Sequence, residues 1–253
     1  MIKKKNLQKE IDWLLEEKYK GKITKEAKSD IEKLKKGEPF DYLMGYVEFL
    51  NCRIDLSLRP FIPRVETEFW VEKGIQMIKK KGKKEIHCLD LFAGSGCIGI
   101  ALLKHLKNIR VIFGEKEKKF LKQIQINLKI NKIPSKRYRL IQTDVFSKIR
   151  GQYDFIFANP PYVALERKGF LQKSVIDYEP SVALFAGKQG LRYIKILIDQ
   201  SKNFLKKEGR VFIEVDPFQK KEIEKILKIQ KGYSSWDFLN DQFGRIRVLI
   251  LKV

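Results

Sequence analysis

The sequence predicts an α/β fold: a largely parallel sheet with helices on both faces. Three observations carry that prediction. From Glu85 onward, short apolar runs alternate with segments whose apolar residues recur at helical spacing. The first of these runs ends in a turn of small residues, Ala93-Gly94-Ser95-Gly96, and passes directly into a helix, as in sheets that bind ligands at their carboxyl edge. The last two apolar runs have no helix of crossover length between them, so the sheet should close with antiparallel strands.

Element by element, apolar residues Leu7, Ile11, Leu14 and Leu15, then Ala27, Ile31 and Leu34, predict a helical hairpin over residues 6–36, split near Gly21 and restarted at a Thr24 cap. Gly37-Glu38-Pro39 ends it. Alternation over residues 46–58 around Asn51-Cys52 predicts a β-hairpin, and Pro60 and Pro63 break the pattern. A helix over 66–81 should turn Phe69, Trp70, Ile75 and Ile78 inward. Strands follow at 86–92, 111–114, 138–141, 155–158 and 210–215, with helices at 97–106, 120–130, 188–207 and 218–230; Phe238 and residues 246–251 supply the closing strands.

Composition bounds the function. Lysine plus arginine number 53 against 31 acidic residues, a net charge of +22. Such a field favours anionic partners, RNA or a ribosomal surface among them, although lysines scattered over Ile-rich helices also read as ordinary solvated faces. Three cysteines and two histidines are too few and too scattered for a disulfide framework or a zinc site, so no metal is expected and a reducing cytoplasm fits best. Residues 1–6 lead into a charged amphipathic stretch without the apolar core of an export signal, and no apolar run reaches membrane-spanning length. A cytoplasmic monomer without membrane contact is expected.

The chemistry concentrates at the ends of the strands. Around Asp90-Leu91-Phe92-Ala93-Gly94-Ser95-Gly96, bare backbone and a helix amino terminus allow a ligand to approach closely. Gly94, Gly96 and Gly99 formally match a dinucleotide fingerprint, but Asp90 would repel a pyrophosphate and attract the amino group of adenosylmethionine. Glu115, about 20 residues after the turn by the usual spacing, is placed to reach ribose hydroxyls or else to cap the next helix. Asp144 could accept the adenine amino hydrogens, with Val145 against the ring.

After the fourth strand comes Asn159-Pro160-Pro161-Tyr162. Two prolines fix the backbone and remove two donors, leaving the Pro160 carbonyl and the Asn159 side-chain carbonyl to accept both hydrogens of one NH2 group; Tyr162 offers a face for a planar amide or base. An amide nitrogen is a weak nucleophile, and with no His or Cys expected near the loop to act as a base, positioning must carry the reaction.

These residues resemble the class I adenosylmethionine-dependent amino-methyltransferases, whose members act on DNA adenine, ribosomal RNA guanine or protein glutamine. Further blocks, Gly37-Glu38-Pro39, residues 61–68, residues 178–187 and residues 241–248, are similar to those of the HemK-type enzymes, which methylate the glutamine of the Gly-Gly-Gln loop in peptide chain release factors. The resemblance covers about residues 37–253. It implies a Rossmann-like seven-stranded sheet (66–253) behind a short amino-terminal helical docking segment (1–36) and a β-hairpin linker (37–65). It also implies cofactor contacts at Phe92 to Gly96, Glu115, Val145 and Asn159, and a substrate held by Asn159 to Tyr162 with Pro63 and Glu66. A ribosomal-protein glutamine, or an exocyclic amine of ribosomal RNA or DNA, is the alternative substrate. Three departures stand out: the short segment before Gly37, Val65 in place of a second proline, and Asp216-Pro217 where the family has a glycine and an aromatic.

Overall fold

The computed structural model describes residues 2–80, 82 and 85–253, with side chains from Leu7 onward. Helix α1 (Ile2–Trp13) runs into a wider turn over Leu14–Lys18, Gly21 adopts a φ of 76°, and α2 (Lys25–Lys35) starts where the Thr24 hydroxyl accepts the Ala27 N–H at 3.1 Å. Leu14 and Leu34 pack on Leu43 from α3 (Phe40–Met44), a short helix that periodicity did not foreshadow.

The expected β-hairpin forms from β1 (Tyr46–Phe49) and β2 (Cys52–Asp55). Its two loop residues, Leu50 and Asn51, both have positive φ (47° and 58°), the conformation that matches strand twist in a two-residue turn. The outer edge of β2 would be open but for α6 (Lys118–Ile130). Three amides one helical turn apart meet it: Gln123 accepts from Leu58 N–H at 2.8 Å, Asn127 from Asp55 N–H at 2.7 Å, and Asn131 from Arg53 N–H at 3.2 Å.

Helix α4 (Val65–Lys80) follows; Lys81, expected to end it, lies outside the described residues. Its buried face is Thr67, Trp70, Val71, Gly74, Ile75 and Ile78. Phe69 is only half-buried, contrary to expectation, because it stands one position off that stripe and lies under the Lys73 ammonium.

The main sheet comprises β3 (Ile86–Leu91), β4 (Ile109–Glu115), β5 (Tyr138–Gln142), β6 (Tyr153–Ala158), β7 (Leu205–Glu214), β8 (Ser235–Asn240) and β9 (Ile246–Lys252), in the order β5-β4-β3-β6-β7-β9-β8. The first five are parallel, and β9 runs antiparallel to both β7 and β8. Helix α5 (Cys97–His105) packs with α4 and α6 on one face; α8 (Arg192–Gln200) and α9 (Lys220–Ile229) cover the other, while α7 (Lys173–Tyr178) belongs to the loop after β6. The helix expected over 188–207 is shorter than predicted. Gln189 and Gly190 take positive φ and delay its start, and after a 3-10 turn at Ser201–Phe204 the chain is already extended at Leu205, paired with Tyr153. Successive strands add to one side of β3 until β6 returns to its other side, so the crevice at this reversal lies between the ends of β3 and β6.

Candidate active site

A cavity of about 1080 Å³ opens at that reversal. Phe92, Ala93, Gly94 and Ser95 line it from the turn after β3, Glu115 from the end of β4, Asp144 and Val145 from the loop after β5, and Asn159, Pro160, Pro161 and Tyr162 from the turn after β6. Pro63 and Glu66 border it from the start of α4. Two expected contacts are absent from this lining. Asp90 sits fully buried beneath the turn, its Oδ2 accepting the Gly99 N–H at 2.9 Å, and Gly96 caps α5 with its α-carbon toward Ile124. Burial pushes the Asp90 carboxyl well above the usual range, the Gly99 N–H opposing and the Glu115 charge adding.

The turn is shaped by backbone that side chains rarely tolerate. Phe92 (φ 56°) and Val145 (φ 49°) hold positive φ without being glycine, and Gly94 (φ 53°) and Gly96 (φ 79°) flank Ser95. Gly99 serves packing: a Cβ there would stand 2.3 Å from the Phe113 ring. The Ser95 carbonyl accepts from Asn127 Nδ2 at 2.9 Å, which ties the turn to the same helix that seals the β-hairpin.

Glu115 is both cap and cavity wall. One oxygen accepts the Gly94 N–H and the other the Glu117 N–H, each at 2.8 Å, so each keeps a lone pair for a ligand hydroxyl. Its carboxyl is raised by burial against those backbone donors. Asp144 is more exposed and ion-paired with Lys116 at 2.8 Å. A turn free of side-chain bulk, the Glu115 carboxyl with free lone pairs, and the Ser95 hydroxyl, buried without a hydrogen-bond partner, suit a ligand bearing hydroxyls and a polar amino-acid end. The residues therefore fit adenosylmethionine. Cys97 also borders the cavity, but burial pushes its thiol far up and leaves it an ineffective base.

Residues distant in sequence hold the second half of the site. Glu214, buried at the end of β7, accepts from the Thr67 hydroxyl at 2.6 Å, Trp70 Nε1 at 2.7 Å and the Tyr162 hydroxyl at 2.9 Å. Burial raises its carboxyl, while these donors and the Arg247 guanidinium oppose. Burial and the Glu214 charge push the Tyr162 phenol well above its ordinary value. Gln219 Nε2 donates to the Tyr162 carbonyl and to the Gln189 carbonyl, each at 3.0 Å. Thr67 and Arg247 fell inside the blocks 61–68 and 241–248 without being singled out, Glu214 stood just before the Asp216-Pro217 departure, and Gln219 carried no motif signal.

Three of the separate sequence blocks prove to be ion-paired neighbours, and the block at Glu38 pairs with a residue just ahead of the second. Arg59 bonds to Glu38, Arg64 to Glu179, and Arg245 to both Glu66 (2.9 Å) and Asp241 (3.0 Å). The Asp216-Pro217 departure also has a local account. Asp216 caps the turn Pro217–Gln219 and lies 3.3 Å from Arg167, whose guanidinium stacks over the exposed Phe218 ring at 4.0 Å, at the cavity mouth.

A sheet with this strand order and a cavity of this composition defines a class I adenosylmethionine-dependent methyltransferase. Solved structures share the fold: the ribosomal protein L11 methylase of Lactobacillus delbrueckii subsp. bulgaricus (TM-score 0.52, 21% identity, 76% of this chain and 80% of that one), and the N-terminal domain of human METTL16 in complex with SAH (TM-score 0.55, 17% identity, 80% and 76%). The methyltransferase small domain model matches residues 72–177. A release factor glutamine methyltransferase of Lactococcus lactis subsp. lactis is 32% identical over 221 residues, 87% of this chain and 80% of that protein. One from Borreliella burgdorferi is 34% identical over 237 residues, 92% and 80%. The chain belongs to the release factor glutamine methyltransferase family. It is an enzyme, and its cofactor is S-adenosylmethionine, which sets aside the dinucleotide reading of the glycines.

Proposed function

We propose that this enzyme methylates the side-chain amide nitrogen (N5) of a glutamine in a peptide chain release factor, the substrate for which its relatives are named. The observation that carries the reading is the Asn159-Pro160-Pro161-Tyr162 turn, which faces the same cavity as the Phe92–Ser95 turn and Glu115. In this reading the Asn159 side-chain carbonyl and the Pro160 carbonyl accept the two N–H bonds of the glutamine amide, while the Tyr162 ring, pinned by Glu214, presents a face to its plane. Both acceptors draw the nitrogen lone pair out of conjugation and aim it at the donor, and one of the two hydrogen-bonded N–H protons is released as the nitrogen takes the methyl group. Bound adenosylmethionine supplies an electrophilic sulfonium methyl group. Phe92, Ala93, Gly94, Ser95, Glu115, Asp144 and Val145 surround it, and Asp90 supports the turn from below. Pro63 and Glu66 border the substrate side.

Residues 1–36 serve as a docking segment for the protein substrate, residues 37–65 as the linker, and 66–253 as the catalytic domain. The enzyme works in this reading as a cytoplasmic monomer, and its charge of +22 suits contact with RNA or the ribosome. Among the described residues no helix is long and apolar enough to cross a membrane. The test is methyl transfer from labelled adenosylmethionine to a purified release factor and to the same factor with its loop glutamine replaced by alanine. Label on the first alone is expected; equal label on both, or label only on RNA, refutes the reading.

A further inference from the structure

The Asn159 side chain can do its proposed work only with its carbonyl toward the cavity, and a side-chain amide fits its own space equally well turned over. Something must select the orientation. Asn159 Nδ2 lies 3.4 Å from the Thr67 hydroxyl oxygen, a long contact that by itself decides little. What decides is where the Thr67 proton goes. Thr67 has one hydroxyl proton, and Glu214 Oε2 accepts it at 2.6 Å. The same carboxylate accepts from Trp70 Nε1, which can only donate, and from the Tyr162 hydroxyl, and it faces the Arg247 guanidinium; all of these favour the anion. Thr67 and Glu214 are each only 1% exposed, so water does not substitute for these bonds. With its proton committed to Glu214, the Thr67 oxygen can only accept from Asn159. The NH2 end is thereby drawn toward Thr67 and the carbonyl end is left facing the cavity.

We infer that Glu214 and Thr67 form a proton-ordered relay that fixes the amide orientation of Asn159, and that Glu214 in the same act fixes Tyr162, so one buried carboxylate sets both ends of the substrate-binding turn. Glu214 and Thr67 are positioning residues. The inference rests on the proposed role of Asn159. It also assigns a purpose to the amino end of α4: it brings Thr67 and Trp70 to the end of β7.

The test is a mutant cycle in the full-length enzyme, with labelled adenosylmethionine and a purified release factor. Thr67→Val keeps the shape and removes the hydroxyl. Its kcat should fall on the order of 10²-fold, as expected when a reacting group is misaligned, while the Kd for adenosylhomocysteine stays as in the wild type. Thr67→Ser, which keeps the hydroxyl, should recover most of the loss. The double variant Asn159→Ala/Thr67→Val should be no slower than Asn159→Ala alone, because Thr67 acts through Asn159. Glu214→Gln can donate to Thr67, freeing its proton to turn toward Asn159, and should lose kcat also. Wild-type kcat in Thr67→Val, or a double-variant loss equal to the product of the single losses, overturns the relay while leaving the role of Asn159 intact. Wild-type kcat in Asn159→Ala overturns that role and the relay with it.

Discussion

Replacing Gly190 by alanine strikes the substrate-binding turn from behind. Gly190 has a φ of 67°, and a Cβ built there would lie 1.9 Å from the Tyr162 carbonyl oxygen and 2.8 Å from Gln219 Nε2. Even a tight Cβ contact needs 3.0 Å, so the Tyr162 carbonyl must withdraw by 3.0 − 1.9, or about 1.1 Å. The left-handed backbone adds about 1 kcal/mol of strain for a residue with a Cβ. The displaced carbonyl adds about 1–3 kcal/mol as overpacking, and loss of the Gln219 hydrogen bond about 1 kcal/mol. The sum is about 3–5 kcal/mol, which for a chain of this size lowers Tm by roughly 6–20 °C. A shift of this size in Tyr162 should also reduce kcat on the order of 10²-fold. The control is Gly45→Ala: its φ of 85° and ψ of −1° are left-handed, but nothing lies within 4 Å of the added Cβ, so it should show the strain of about 1 kcal/mol and little more. Thermal unfolding and methyl-transfer kinetics on both variants decide the matter. If Gly190→Ala and Gly45→Ala are equally stable and equally active, the steric reasoning fails.

Asn159→Ala should cost about 2–4 kcal/mol of transition-state stabilisation, seen as a fall in kcat in single-turnover assays with little change in adenosylhomocysteine affinity. Arg64→Ala strands the Glu179 carboxylate, only 5% exposed, and should destabilise by about 2 kcal/mol in urea titrations; an unchanged midpoint would show that the pair contributes nothing. Burial raises the Asp30 carboxyl, but hydrogen bonds from Lys18, Tyr19 and Lys33 outweigh it and bring the pKa from its ordinary 3.8 down to about 2. The carboxylate thus contributes stability above pH 3.8 that is lost as pH falls toward 2, so the wild type and Asp30→Asn should converge across that window; a constant difference would exclude the linkage. Deleting residues 1–36 should lower kcat/KM for the release factor more than it weakens adenosylhomocysteine binding, and an unchanged kcat/KM would contradict a docking role.

Much of the fold was legible because the signals that specify it are local. The switch from helical spacing to short apolar runs near Glu85, the Thr24 cap and the paired prolines after Asn159 each act over a few residues, and each appears where the sequence placed it. Local signals also erred locally. The helix expected over 188–207 was read through Gln189 and Gly190, whose positive φ is set by the close approach of Gly190 to Tyr162, and Phe69 was assigned inward because a single aromatic at near-helical spacing does not reveal which stripe faces the core. In the site, the residues that line the cavity mostly belong to motifs, whereas Asp90, expected to face the ligand, lies under the turn on Gly99.

The sequence by itself determined which chemistry the strand ends bear: a glycine turn, a carboxylate after β4, and acceptors on a rigid turn after β6. Tertiary structure decided which distant groups orient them. Glu38 meets Arg59, Glu179 meets Arg64, and Glu66 meets Arg245, while Glu214 joins Thr67 and Trp70 on α4 to Tyr162 on the turn. The physical reason is reach. A hydrogen bond is decided over about 3 Å between groups that the chain leaves far apart in sequence, and only the packing of α4 across the ends of β6 and β7 brings those groups within that distance.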